Sequence, residues 1–222
     1  MSTVAHNMLR WFRGAGETEI PQVATQKSAP RATRHSSGLA EFMRRIAGED
    51  KVCILDLGKT SHINIPYFTQ RGARIYNEDI LGGLQEKNYM VRQEDGLQHL
   101  DLASFFQENF DYPENHFDAI LGWDIADYLP ETVVKPLIEK VHRMLKPTGG
   151  MLAYFHTKDA GPDAPYFRYH VLQNDTVELA PGPNFRLQRV FTNRHIENLF
   201  TGFSSVKFFL GRDNVREVLV IR

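Results

Sequence analysis

Three short runs of this chain are apolar at nearly every position: Val52 to Leu55, Phe117 to Trp123 and Met151 to Phe155. A strand with one wet face alternates apolar and polar residues, so runs without alternation read as strands buried on both faces. Helical patterns lie between them. In the stretch 131–145, Val134, Leu137, Ile138, Val141 and Leu145 fall on one face, and Pro147, Thr148, Gly149 and Gly150 stop the pattern. Doubly buried strands separated by helices require a mostly parallel sheet with helices on both faces.

The remaining elements fit that frame. Ser37 is the expected N-cap of a helix carrying Leu39, Phe42, Met43 and Ile46, which Gly48 closes. A helix is expected over 65–70, ended by Gly72, then a second strand over 74–76 that leads into Asn77, Glu78 and Asp79. The stretch 97–102 reads as a possible third strand and 103–108 as a short helix. At the end, Ile196, Leu199, Phe200 and Phe203 mark an amphipathic helix. Two strands follow, joined by a tight turn at Gly211 to Asn214, an antiparallel hairpin on a parallel sheet. A seven-stranded, mostly parallel sheet is expected.

Residues 1–37 differ in character. They are rich in Gly, Pro, Ala, Ser and Thr, and five basic residues face two acids, a net +3. A flexible arm is expected there, either solvated or basic enough to meet a partner, with Trp11 and Phe12 as its anchor. The folded domain is expected over 38–222. The whole chain balances 26 Lys and Arg against 27 Asp and Glu, which gives no electrostatic footprint for nucleic acid or an anionic membrane. Its one cysteine, Cys53, lies in the first apolar run and reads as a small core filler in a reducing, cytoplasmic setting. No apolar run approaches the roughly 18 residues of a membrane span. The nine His are scattered, so no metal is expected.

In such sheets the ligand sits at the C-terminal ends of the strands, beside the first. Asp56 closes strand one and Asp79 closes strand two, 23 residues on, where a carboxylate can accept both hydroxyls of a ribose. Asp101 is a further acid, at the end of the possible third strand. Each could instead be a surface acid.

Four segments together resemble the class I S-adenosylmethionine-dependent methyltransferases. "ILDLG" is similar to that family's first motif, "RIYNEDI" to its second strand, "YPENHFDAILGWDIADYLP" to its fourth-strand segment and "VHRMLKPTGGMLAYFH" to the turn into strand five. The resemblance implies a Rossmann-like fold and S-adenosyl-L-methionine as cofactor. It places ribose binding on Asp79, with Glu78 as neighbour, and cofactor contacts on Asp56, Gly58 and Trp123. It further implies methyl transfer to an acceptor, more plainly a small molecule than a polymer. The signatures of amino-methylating and cytosine-methylating DNA enzymes are absent.

One departure stands out. Where the family has two further glycines, this chain has Thr60 and His62 in "KTSHIN". Glycines there let backbone approach the cofactor and accept positive φ, which a β-branched Thr resists. Thr60 and Ser61 hydroxyls could replace those contacts, and Asn64 could cap the helix near Pro66. Otherwise the protein is a catalytically inert, methyltransferase-like binding or regulatory module. At the methyl-transfer site, Asp124 is the first candidate for contacting substrate or the cofactor amine, Asp127 the second, and His156 a candidate base; Asp124 as a simple helix cap is the alternative. The segment 157–193 would cover the substrate with Tyr166 and Arg168, or form a surface hairpin with Tyr166 and Tyr169 packed on the sheet.

Overall fold

The computed structural model describes residues 32–86, 89–92, 98–158, 166–183, 185–211 and 214–222. Its main sheet has six strands: β2 (Cys53–Asp56), β3 (Arg74–Asn77), β6 (Phe117–Trp123), β7 (Leu145–His156), β10 (Ser205–Leu210) and β11 (Val215–Ile221). Their order is β10-β11-β7-β6-β2-β3. The pairs β3–β2, β2–β6 and β6–β7 are parallel, while β11 runs antiparallel to both β7 and β10. The expected terminal hairpin is therefore present, and β11 is the single strand that opposes the others.

Successive residues of each central strand enter opposite cores, as doubly buried strands require. Leu55, Ile120, Ala153, Phe155, Val218 and Val220 pack on one side, against α3 (Ile80–Glu86), α4 (Leu102–Asn109), α5 (Ile125–Tyr128), α6 (Glu131–Met144) and α7 (Asn193–Leu199). Ile54, Ala119, Leu121, Trp123, Leu152, Tyr154 and Leu219 pack on the other. There they meet α1 (Ser37–Ile46), α2 (Asn64–Thr69) and a second, smaller sheet. That sheet is antiparallel, ordered β1 (Ala32–His35), β9 (Thr176–Pro181), β8 (Phe167–Gln173).

Five local expectations are corrected. The main sheet has six strands, not seven, because the candidate third strand is β5 (Gln98–Leu100), which pairs with β4 (Met90–Arg92) in a separate two-stranded ribbon. The N-cap of α1 is Ser36, whose Oγ accepts from Leu39 N–H, so the helix starts at Ser37. The stretch Lys146–Gly150 does not stop a helix at a loop; α6 ends at Met144 and β7 begins at once. The fold begins before residue 38, since 32–35 form β1 on the edge of the small sheet. Residues 1–31, with Trp11 and Phe12, lie outside the described residues. Cys53 is half-buried against the core rather than enclosed.

A buried pair fastens β1 to the main sheet. Arg34 Nη2 lies 3.6 Å from Glu217 Oε1, and its guanidinium sits 4.6 Å from the centre of the Tyr154 ring. Glu217 Oε2 accepts from Gly38 N–H at 2.6 Å, and a Cβ at Gly38 would come within 2.8 Å of that oxygen. Glycine at 38 thus lets α1 begin directly on a buried carboxylate.

Candidate functional site

The parallel strands β3, β2, β6 and β7 end side by side, and the acids expected from the sequence follow those ends. Asp56 is the last residue of β2 and is buried. Its Oδ1 accepts from Gly58 N–H at 3.0 Å and from Trp123 Nε1–H at 2.7 Å, and its Oδ2 from Asn64 Nδ2–H at 2.9 Å. Burial pushes the Asp56 carboxyl up to about 6, against the pull of those three donors. Because folding raises this acid's affinity for its proton, its ionisation costs stability as pH rises from about 4 to about 6. A carbon-detected NMR titration should show the Asp56 carboxyl titrating near 6. A midpoint near the ordinary carboxylate value of about 4 would contradict this description of its surroundings.

Asp79 stands two residues past β3, and its Oδ1 accepts from Gly82 N–H at 2.9 Å at the start of α3. A Cβ at Gly82 would lie 2.6 Å from Asp79 Oδ2, so glycine there lets the carboxylate fold back over the helix. Burial raises the Tyr166 hydroxyl above its usual value, and the Asp124, Asp79 and Asp56 charges add to it; the Asp79 charge also adds to the burial-driven rise at Asp56. Glu78 is engaged elsewhere, as acceptor of the Tyr112 hydroxyl. Asp101 is the N-cap of α4: Oδ1 takes Ser104 N–H at 3.0 Å and Oδ2 the Ser104 hydroxyl at 2.6 Å. Those hydrogen bonds hold its carboxyl below the usual range and give it a structural task.

The loop after β2 is arranged differently from the expectation. Thr60 is exposed, whereas Ser61 is buried with its Oγ accepting from Ile63 and Asn64 N–H. Ser61 therefore orders the entry to α2, the task assigned to Asn64. Asn64 instead faces inward as a bridge. Besides Asp56, its Nδ2 donates to Tyr169 O at 3.1 Å, and its Oδ1 accepts from Val171 N–H at 2.7 Å. The loop is thereby tied to β8.

At the ends of β6 and β7 two acids and an imidazole meet. Asp127 Oδ2 accepts from His156 N–H at 2.6 Å and faces His156 Nδ1 at 2.8 Å. His156 Nε2 lies 4.0 Å from Asp124 Oδ2, which also accepts the Tyr169 hydroxyl at 2.9 Å. Burial raises both carboxyls, Asp127 to about 6. Burial also pulls His156 down, but the Asp127 hydrogen bond and the two acidic charges outweigh it and hold the imidazole above its usual value. Among the described residues, Asp124 Oδ1 and Asp127 Oδ1 have no hydrogen-bond partner although both are buried. Asp124 precedes α5 in the N-cap position without capping it through its side chain.

The segment after β7 is partly described. Residues 159–165 lie outside the described set, and β8 with β9 forms a hairpin over the strand ends. Tyr166 is buried there, with Tyr128 and Phe185 at ring distances of 5.1 and 4.9 Å. Arg168 Nη2 donates to Pro181 O at 3.1 Å, within the hairpin.

A family model described as a methyltransferase domain matches residues 31–204. The chain belongs to that methyltransferase-domain family. Membership carries S-adenosyl-L-methionine as the cofactor, the expectation raised by the motifs. The match begins at residue 31, in step with β1. No curated protein sequence matches the chain. Solved structures similar to this methyltransferase domain share little sequence. The 1,6-didemethyltoxoflavin-N1-methyltransferase of Burkholderia thailandensis is 13% identical, with 84% of this chain and 79% of that one covered and a TM-score of 0.47. A SAM-dependent methyltransferase from Aquifex aeolicus is 13% identical over 82% and 88% of the two chains, with a TM-score of 0.45.

Two participants in this site escaped the motifs, Asn64 and Tyr169. The signal for Asn64 is faint: one polar residue inside the apolar stretch "INIPYF", where a helix face should be dry. For Tyr169 there is none, because only the fold brings β8 against Trp123.

Proposed function

We infer that this protein transfers a methyl group from S-adenosyl-L-methionine to a small-molecule acceptor. The observation that carries the reading is the gathering of Asp56, Asp79, Asp124, Asp127 and His156 at the ends of adjacent parallel strands, in a chain of this family. Asp79 would take the ribose, with Oδ2 available beside the Oδ1 that accepts from Gly82. The cofactor, when bound, supplies an electrophilic methyl on a cationic sulfonium, and buried carboxylates suit a cation at that point. Asp124 and Asp127, through their unpartnered oxygens, would orient the acceptor. His156 would hold or remove its proton at Nε2, because Asp127 fixes the proton of the other ring nitrogen on Nδ1. Tyr166 and the hairpin behind it would exclude water.

No described helix is long and apolar enough to cross a membrane. A cytoplasmic setting remains part of the proposal.

A second reading, an inert binding or regulatory module, is favoured by one specific feature. The indole of Trp123 lies on Gly58, and the Asp56 carboxylate is already engaged by Gly58, Trp123 and Asn64. Turnover separates the two. Protein incubated with methyl-labelled cofactor and the small-molecule fraction of a cell lysate should produce demethylated cofactor. Parallel arms with lysate protein and lysate nucleic acid should not. His156→Gln should slow production by about 100-fold or more, the usual weight of a general base, while cofactor binding stays within about twofold. Equal rates in the variant would remove His156 from the chemistry, and no product in any arm would favour the inert module.

A further inference from the structure

Trp123 holds a position that neither the family match nor the acid cluster explains. It is the last residue of β6, and its φ is +45°, the left-handed region that a bulky aromatic residue rarely adopts. That backbone turn aims the indole back across the strand ends. A Cβ built on Gly58 would lie 3.0 Å from Trp123 Cδ1, so the ring rests directly on the glycine that should receive the cofactor. Three contacts hold it there. Nε1–H donates to Asp56 Oδ1 at 2.7 Å, the ring stacks on Tyr169 at 5.1 Å and 8° between planes, and Tyr154 closes the edge at 5.7 Å.

Tyr169 belongs to the hairpin, and the hairpin is latched to the same loop through Asn64, which bonds Asp56, Tyr169 O and Val171 N–H. Loop, indole and hairpin thus form one hydrogen-bonded unit over Gly58. A ligand that needs the Gly58 backbone meets an apolar ring already seated on it.

We propose that Trp123 is a displaceable gate over the cofactor loop, latched shut through Asp56 and Tyr169, and that ligand entry swings the indole off Gly58. The proposal rests on the methyl-transfer reading of the same site. The closed unit is a self-complementary form of the protein, and its contacts must be given up for the cofactor to bind, which lowers apparent affinity by the fraction of closed molecules. Removing the indole removes both the obstruction and the strained φ.

The test uses the full chain with Trp11→Phe, which leaves Trp123 as the only tryptophan. S-adenosyl-L-methionine, and separately its demethylated product, is titrated while tryptophan emission and heat are followed. A saturable red shift whose midpoint matches the calorimetric Kd is the expected result, with Trp123→Gly binding at least about tenfold tighter. Binding by Trp123→Gly alone would also support the gate, as one that stays shut in the native chain. Heat without any emission change, together with unchanged affinity in Trp123→Gly, would overturn the gate and leave the methyl-transfer reading standing. No binding by either chain would remove that reading, and the gate with it. Should Trp123→Gly fail to fold, as circular dichroism would report, emission of the Trp11→Phe chain decides alone.

Discussion

Replacing Asn64 with alanine should lower the unfolding free energy by about 4 kcal/mol, more than any other single truncation in the loop after β2. The side chain satisfies three buried groups that belong to different elements: the Asp56 carboxylate on β2, and the Tyr169 carbonyl and Val171 N–H on β8. Alanine takes their Asn64 partner from the Tyr169 carbonyl and Val171 N–H, at about 1–3 kcal/mol each, and removes one of the three donors to Asp56, which keeps Gly58 N–H and Trp123 Nε1–H. Relaxation and entering water recover part of the sum. For a chain of this length the loss corresponds to a melting temperature lower by roughly 10 °C. Asn64→Asp should be at least as damaging near neutral pH, since it sets a second carboxylate against Asp56. Its penalty should shrink as pH falls below about 6, where Asp56 takes up its proton. Thermal unfolding of both variants between pH 5 and 8 checks this. A loss below about 1 kcal/mol in the alanine variant would mean that loop and hairpin are not coupled through this residue.

The second large effect concerns the ligand. Asp79→Ala should weaken S-adenosyl-L-methionine binding by about 100-fold, because a carboxylate accepting two ribose hydroxyls makes charged hydrogen bonds worth about 1.5–3 kcal/mol each. Stability should change less, since among the described residues the variant loses the one hydrogen bond from Gly82. Asp79→Asn should recover part of the affinity, as an amide still offers one acceptor. Isothermal calorimetry on the three proteins decides between this and a purely structural Asp79. An affinity unchanged in Asp79→Ala would move the ribose site elsewhere, with Glu78 excluded from easy duty by its bond to Tyr112.

What the sequence made legible is what short-range pattern controls. The unalternating runs at 52–55, 117–123 and 151–155 specified strands that feed two cores, and residues of each strand divide between those cores. Caps and glycines marked both ends of α1, its start within one residue at Ser36, and the end of α2 at Gly72. The acids after the strands were visible because strand ends are visible. The place of the third strand was not, since 98–100 is short and its partner 90–92 is a neighbour in sequence rather than the main sheet. Polar side chains of the loop were misassigned for a physical reason. Ser61 and Asn64 both suit a helix start, and only the packing of β8 on α2 decides which of them turns inward. Trp123 read as a cofactor contact; that it lies on Gly58 depends on one backbone torsion that no spacing announces.

The central claim is that this chain still takes the cofactor of its family although two loop glycines are Thr60 and His62. Calorimetric titration of the unmodified protein with S-adenosyl-L-methionine tests it most directly. The account predicts a single saturable site, weakened in Asp79→Ala. Absence of heat and of any thermal shift at millimolar ligand, in a protein shown to be folded, would contradict it and leave the scaffold as a binding module.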